Sequence, residues 1–379
     1  MSFEIAVAPM VGVSTPEYRR FMRLISPNSI VFTEMIVDTS LLHMNSAMLE
    51  KKIGLATPHC ALQIGGSIPE QVAQAAIRAV SVGYTRLNLN CGCPSDRVKS
   101  GSFGAVLMKT PETIAAIVQA VYQSTGVVMS VKCRIGLDQV EDYDSFKAMI
   151  STIVAQSPCR TFYVHARKCL LNGLSPAENR RVPPLRYDYA LQIKRDFPQL
   201  KIILNGGIRE INQIIPFIGQ LDGVMLARKP MEDPFFFAEL ESVLFSRPPI
   251  SPFLVISEYL NTLSTRIANQ HAFYELDKEY VAKASQLSSS QHSDQESSPH
   301  TNTNPILTQP SPTTSYLCTR ADLKPIEPVL FGKRGCKKYK QRLAEIAGIH
   351  LAPNQVLPLI EPYFSASPAI SSSDSTQLT

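Results

Sequence analysis

An α/β protein, a closed (β/α)8 barrel followed by a helical domain, is what this sequence predicts. Three observations carry the expectation. From the N-terminus to about residue 245, short β-rich runs alternate with longer helix-patterned segments, the order of parallel strands joined by crossover helices. Nearly every run ends in a polar or reactive side chain. After residue 250 the composition turns polar and amphipathic.

The β-rich runs are Ile5 to Met10, Ile30 to Met35, Cys60 to Gly65, Arg86 to Cys91, Val127 to Lys132, Thr161 to His165, Lys201 to Asn205 and Asp222 to Ala227. Between the third and fourth, Val72, Ala75, Ala76, Ala79 and Val80 recur at i, i+3, i+4, i+7 and i+8. Ile114, Ile117, Val118 and Val121 repeat that pattern before the fifth, so both segments read as helices with one buried face. Eight such units in about 245 residues match the size of a TIM barrel, which assembles its active site at the C-terminal ends of the strands. The residues at those ends are Pro9 and Met10, Glu34, Gln63, Asn90, Lys132, His165 and Asn205, with Arg228 just past the eighth run. A doubly wound sheet would gather its ligand groups at one switch point instead of drawing on every strand.

Beyond the barrel, Ser257 to Ala284 is polar-amphipathic and predicted helical. Residues 285–315, rich in Ser, Gln, Asn, Thr and Pro, cannot build a core and are predicted to form a disordered insertion. Helical character returns from Gly335 to Ala347, where Arg334, Lys337, Lys338, Lys340 and Arg342 make a dense basic strip. The expected organisation is a barrel over 1–245, a helical domain over 250–363 interrupted at 285–315, and a mobile Ser-rich tail over 364–379.

The 379 residues are 44% hydrophobic and 18% charged, enough apolar surface for a sizeable core. No apolar run approaches the roughly 18 residues of a membrane span. The first strand-like run starts at Ile5 and leaves no room for a leader. A soluble, intracellular protein is expected, cytoplasmic and monomeric. Eight unevenly spaced cysteines read as reduced thiols rather than a disulfide framework, so a special cysteine has to be a chemical one. A net charge of +5 permits a nucleic-acid partner without requiring it.

Asn88-Leu89-Asn90-Cys91-Gly92-Cys93-Pro94-Ser95 places a cysteine between Gly and Pro just beyond a strand end, where a thiol can project into a barrel mouth and exchange a proton from a fixed position. The alternatives are a packed loop cysteine and a metal site from Cys91-x-Cys93; no second Cys or His pair at zinc-ligand spacing supports the metal. Asn205-Gly206-Gly207-Ile208 closes the seventh run, and adjacent glycines let backbone N–H groups approach an anion. With Ala227-Arg228 at the eighth, they sit where TIM barrels often hold phosphate, which suggests a phosphorylated cofactor. Lys132 and His165 could bond its ring system; taken singly, each reads equally well as a surface strand-end residue.

Ala8-Pro9-Met10, Leu62-Gln63-Ile64-Gly65-Gly66-Ser67, Asn90-Cys91-Gly92-Cys93-Pro94-Ser95, Val131-Lys132-Cys133-Arg134-Ile135-Gly136, His165-Ala166-Arg167-Lys168 and Asn205-Gly206-Gly207 resemble, in order, the motifs of the tRNA-dihydrouridine synthases. The resemblance is closest to the A-type branch, through Asp96-Arg97-Val98, Phe103-Gly104-Ala105 and Gly173-Leu174-Ser175-Pro176 with Glu178-Asn179-Arg180. It spans residues 3 to 245 and, more loosely, Lys324 to Leu343. It implies an FMN enzyme that uses NADPH to reduce the C5–C6 double bond of tRNA D-loop uridines, at positions 20 and 20a. Carried over by position, Pro9, Met10, Val11, Gln63, Lys132 and His165 would hold the flavin ring and ribityl chain, and Asn205, Gly206, Gly207, Ala227 and Arg228 would surround its phosphate. Cys93 would be the proton donor. Hydride addition at C6 leaves enolate-like charge at C5, and an acid on the opposite face of the base must quench it; that role calls for a protonated thiol, not an activated thiolate.

The resemblance also implies tRNA contacts at Asn90, at Arg180 and on the basic strip. The branch usually carries arginines where this sequence has Lys337 and Lys340, which keep phosphate attraction but lack the planar bidentate fork. Ala227 replaces a usual Gly and Cys91 a frequent Val, without loss of a functional group. Two other readings are an FMN-dependent barrel oxidoreductase acting on a small molecule and a tRNA-binding protein that has lost catalysis. The basic strip argues against the first; Cys93, Lys132 and His165 argue against the second.

Overall fold

Eight parallel strands hydrogen-bond in chain order, and the last pairs with the first to close the barrel. The computed structural model describes residues 3–95, 101–140, 142–264, 316–333 and 335–365. The strands are β1 (Glu4–Val7), β2 (Ile30–Val37), β3 (Cys60–Gly65), β4 (Leu87–Cys91), β5 (Ser130–Arg134), β6 (Thr161–His165), β7 (Lys201–Asn205) and β8 (Gly223–Leu226). Helices on the outside connect them, among them α1 (Pro16–Ile25), α2 (Asp38–His43), α3 (Ser46–Ile53), α4 (Pro69–Ser81), α5 (Pro111–Thr125), α6 (Tyr143–Gln156), α7 (Tyr187–Asp196), α8 (Arg228–Glu232) and α9 (Phe236–Phe245). Several start where the local chemistry demands it. Thr15 Oγ1 accepts the Tyr18 N–H ahead of Pro16, and Asp142 Oδ1 accepts the Ser145 N–H at 2.8 Å.

Strand alternation sorts the core into two layers. Ile5 and Val7, Leu62 and Ile64, Val131 and Cys133, Phe162 and Val164, and Ile202 and Leu204 point outward into the helices. Their neighbours Ala6 and Ala8, Ile30 and Phe32, Ala61, Tyr163, Ile203 and Met225 point inward and fill the cylinder. The Phe32 and Tyr163 rings meet edge to face at 5.0 Å, so the interior is a packed plug rather than a pore.

Five strands differ from their expected bounds, β4 by one residue at its start, β8 by one at each end and three others by two or more, each of those three for a physical reason. β1 stops at Val7 because the ladder ends with Ala8 donating to the Leu226 carbonyl, and Pro9 has no N–H to continue it. β2 runs two residues past Met35 through a register shift between Phe32 and Met35, where Thr33 Oγ1 stands in for the backbone by accepting the Gln63 N–H at 3.0 Å. β5 begins at Ser130 and ends at Arg134, because residues 127–129 carry the chain from the left-handed cap at Gly126 to the sheet. Lys132 is therefore mid-strand and Arg134 stands at the rim.

The helices after the barrel are α10 (Pro252–Ser264), α11 (Arg320–Leu323), α12 (Cys336–Ile349), α13 (Pro353–Ile360) and α14 (Pro362–Ser365). They join the outer layer of the core: Tyr259 of α10 packs edge-on against Phe21 of α1 at 5.3 Å and donates to the Asp322 carbonyl at 2.6 Å. The helix expected at Ser257 starts five residues earlier, and residues 265–284, like the 285–315 stretch and Arg334, lie outside the described residues. Phe364, the first residue of the expected mobile tail, packs against Tyr339 and Phe253 at 5.7 Å; this corrects the tail boundary, and 366–379 lie outside the described residues. Among the described residues no helix is long and apolar enough to cross a membrane, and no group of three His, Cys, Asp or Glu side chains gathers as a metal site.

Candidate active site

Each inward strand position has a successor two residues on, and these successors leave the plug and reach the C-terminal mouth. Ala61 is followed by Gln63, Asn88 by Asn90, Ser130 by Lys132, Tyr163 by His165 and Ile203 by Asn205. Together they line a cavity of about 750 Å³, within the roughly 300–1,000 Å³ of small-molecule sites, with Met225 of the plug contributing to its lining. Pro9, Met10, Val11, Gln63, Asn90, Cys93, Lys132, His165, Arg180, Asn205, Gly206, Gly207, Ala227 and Arg228 all line this one cavity. Lys337 and Lys340 do not; both lie exposed on α12.

The amides form a relay that fixes the thiol loop. Gln63 Nε2 donates to Asn88 Oδ1, and Asn90 Nδ2 donates to Gln63 Oε1, both at 2.8 Å. Asn90 Oδ1 then accepts the backbone N–H groups of Gly92 at 3.2 Å and Cys93 at 3.1 Å. The half-buried Cys93 thiol reaches Ser95 Oγ at 3.5 Å. Asn90, expected to face RNA, thus also holds the loop that carries Cys93.

Arg134, which stands within one of the sequence motifs but has no role predicted from sequence, is a further residue of the site. Its buried guanidinium donates from Nε to the Gly92 carbonyl at 3.0 Å, and from Nη1 to the carbonyls of Lys168 at 3.0 Å and Asn179 at 2.9 Å. It ties the cysteine loop to the loop that presents Arg180. Asn179, fully buried, braces that second loop by accepting the Leu170 N–H and donating to the Leu170 carbonyl, each at 2.8 Å. The period-two continuation beyond Lys132 was the available signal for Arg134.

Electrostatically the mouth is cationic and desolvated. Burial, with the Arg134 charge adding to it, pulls Lys132 down from 10.5 to about 8. Lys132 Nζ donates to Asn205 Oδ1 at 3.2 Å, and Asn205 in turn donates to the Met225 carbonyl at 2.7 Å. Burial first, and then the charges of Arg134, Lys132, Arg167 and Arg180, hold His165 well below its usual value, so its imidazole is neutral at neutral pH.

The far end of the cavity needs glycine. Gly206 and Gly207 have φ of +121° and +74°, and a Cβ on them would lie 2.7 Å from His165 Cδ2 and 2.4 Å from Leu185 Cδ1. Tyr187 fastens this turn by donating to the Gly206 carbonyl at 2.7 Å. The bare backbone beside Arg228 is a cradle that side chains would fill. A flat polar ring over an apolar floor, with an anionic end toward Arg228, matches this donor set: amides, a titratable cation, a neutral imidazole and a thiol at the rim.

Residues 6–315 match the family model described as dihydrouridine synthase. A tRNA-dihydrouridine(20/20a) synthase of Shewanella oneidensis is 42% identical over 239 residues, 63% of this chain and 70% of that protein. One of the same name from Xanthomonas campestris is 43% identical over 249 residues, covering 65% and 73%. A solved structure titled morphinone reductase covers 66% of this chain and 87% of its own, at 11% identity and a TM-score of 0.43.

Proposed function

We propose, from the premise that this chain belongs to the dihydrouridine synthase family, that it reduces the C5–C6 double bond of uridines in the tRNA D-loop, at positions 20 and 20a, with FMN as its resident cofactor and NADPH as reductant. The convergence of Cys93, Lys132, His165 and the Gly206–Gly207 cradle on one cavity carries this reading. The names of the relatives support the substrate and the two positions.

The donor set fits a flavin mononucleotide. Pro9, Met10, Val11, Gln63, Lys132 and His165 would bond and cover its ring and chain, and Asn205, Gly206, Gly207, Ala227 and Arg228 would surround its phosphate. When bound, it supplies two-electron reduction of an activated double bond. The chain's own residues do the rest. Lys132 offers positive charge where reduction adds negative charge to the cofactor. Neutral His165 hydrogen-bonds without adding a second charge. Cys93, held by Asn90 and Arg134, presents its proton to the carbon that becomes basic once the base is reduced at C6.

The base reaches the mouth only unstacked, so the helical domain over 250–363 serves as the grip on tRNA while the barrel over 1–245 does the chemistry. Arg180 at the rim and Lys337 and Lys340 on α12 are the assigned backbone contacts. Acting on tRNA, the protein works inside the cell.

The test is nucleoside mapping of tRNA from cells lacking the gene, beside flavin absorbance of the purified protein. Dihydrouridine missing at positions 20 and 20a, with a flavin spectrum, is the expected result. Flavin without any change in dihydrouridine would point instead to a small-molecule oxidoreductase.

A further inference from the structure

The turn that opens the cavity wall, Met10 to Ser14, is closed at its base by its own chain. The Met10 carbonyl accepts the N–H groups of Val13 at 3.1 Å and Ser14 at 2.8 Å. Ser14 Oγ accepts the Met10 N–H at 3.0 Å and donates to the Ala8 carbonyl at 3.1 Å. None of these bonds reaches the tip, where Val11 is 76% exposed and Gly12 has φ of +75°.

Two side chains from distant parts of the sequence do reach it. Glu34 Oε1, buried at the mouth within the β2 register shift, accepts the Gly12 N–H. Lys324 Nζ donates to the Gly12 carbonyl at 3.0 Å across 312 residues of sequence. Lys52 stands 3.6 Å from the second Glu34 oxygen and keeps the carboxylate charge partly compensated. Lys324 is itself anchored close to the basic helix, because Tyr339 of α12 donates to the carbonyl of Ile326 at 3.1 Å. A continuous path therefore runs from the exposed lysines of α12, through Tyr339, Ile326 and Lys324, to the wall against which Met10 and Val11 face the cavity.

We infer that Glu34 and Lys324 are positioning residues that clamp the two sides of Gly12, so that the Met10–Gly12 turn is a fixed wall of the cavity and its seating depends on the docking of the helical domain. What the turn serves rests on the flavin reading above; the clamp is a property of the chain. A buried carboxylate accepting a backbone N–H is the stronger half, and the solvent-exposed lysine the weaker.

Hydrogen–deuterium exchange of the full-length protein, read on peptides covering residues 10–14, separates the clamp from general stability. Glu34→Ala is expected to speed exchange there about 10-fold and Lys324→Met about 3-fold, with Glu34→Gln and Lys324→Arg close to wild type because each keeps the acceptor or donor. Flavin dissociation constants should rise by similar factors in the two loss variants. Lys324 is exposed, so its variant remains informative even where Glu34→Ala folds poorly. Unchanged exchange at 10–14 in Lys324→Met, or equal acceleration over the whole barrel, overturns the inference. A wild-type protein that binds no flavin defeats the functional reading and leaves the exchange measurement to decide the clamp separately.

Discussion

Under the proposed function the barrel mouth and the basic face of α12 serve the same tRNA, and they present their charges in opposite ways. At the mouth, Lys132 and His165 sit one inward step above the plug, desolvated by the protein around them, and their proton affinities are displaced by burial. On α12, Tyr339, Leu343 and Ile346 are buried at i, i+4 and i+7, which turns Lys337, Lys338 and Lys340 out into water. Arg342, farther along, is already engaged with Glu345 at 3.1 Å. Charges of the first kind act at short range on a specific chemical state; those of the second act on phosphates and are screened by salt.

That contrast can be broken most directly at Cys93. Cys93→Ala should lower uridine reduction by about 10²–10⁴-fold, the range for loss of a positioned acid, while NADPH still bleaches the bound flavin. Stopped-flow absorbance beside nucleoside analysis reads both, and failure of the bleaching step would remove Cys93 from the role of acid alone. The second test is the pH response of Lys132. With its proton released near pH 8, flavin affinity should fall as pH rises through that value, and Lys132→Met should bind more weakly at pH 7 and lack the step. Binding a group that prefers the ammonium raises the midpoint in the loaded protein. The same shift has a folding counterpart. The folded lysine gives up its proton more readily than the unfolded one at 10.5, so its burial weighs against the fold below pH 8 and is relieved between 8 and 10.5. The smallest effect belongs to the helix: Lys337→Ala with Lys340→Ala should weaken tRNA binding about 10-fold at low salt and flatten the salt slope by about one to two units, with flavin content unchanged. Binding that keeps its full salt slope would place the grip elsewhere.

Period two made most of the mouth legible in advance. Gln63, Asn90, His165 and Asn205 lie at or near the ends of runs whose hydropathy is unambiguous, and all four line the cavity. The pattern failed where the backbone departs from regularity. Hydropathy places the start of β5 at Val127, and this hid Arg134 one step beyond Lys132. The β2 shift depends on the Thr33 hydroxyl replacing a backbone acceptor, and no apolar pattern encodes that. Contacts such as Lys324 with Gly12 join residues from opposite ends of the chain, and local sequence holds no trace of them. The basic strip is legible in the sequence as charge on a helical segment; the burial of Tyr339 orients the helix and turns its lysines to solvent.

Phe32 and Tyr163, stacked edge to face under Met225, stopper the cylinder from below. Whatever arrives at the floor comes through the strand-end doorway. Under the proposed function, nicotinamide and nucleobase would both have to use that one threshold.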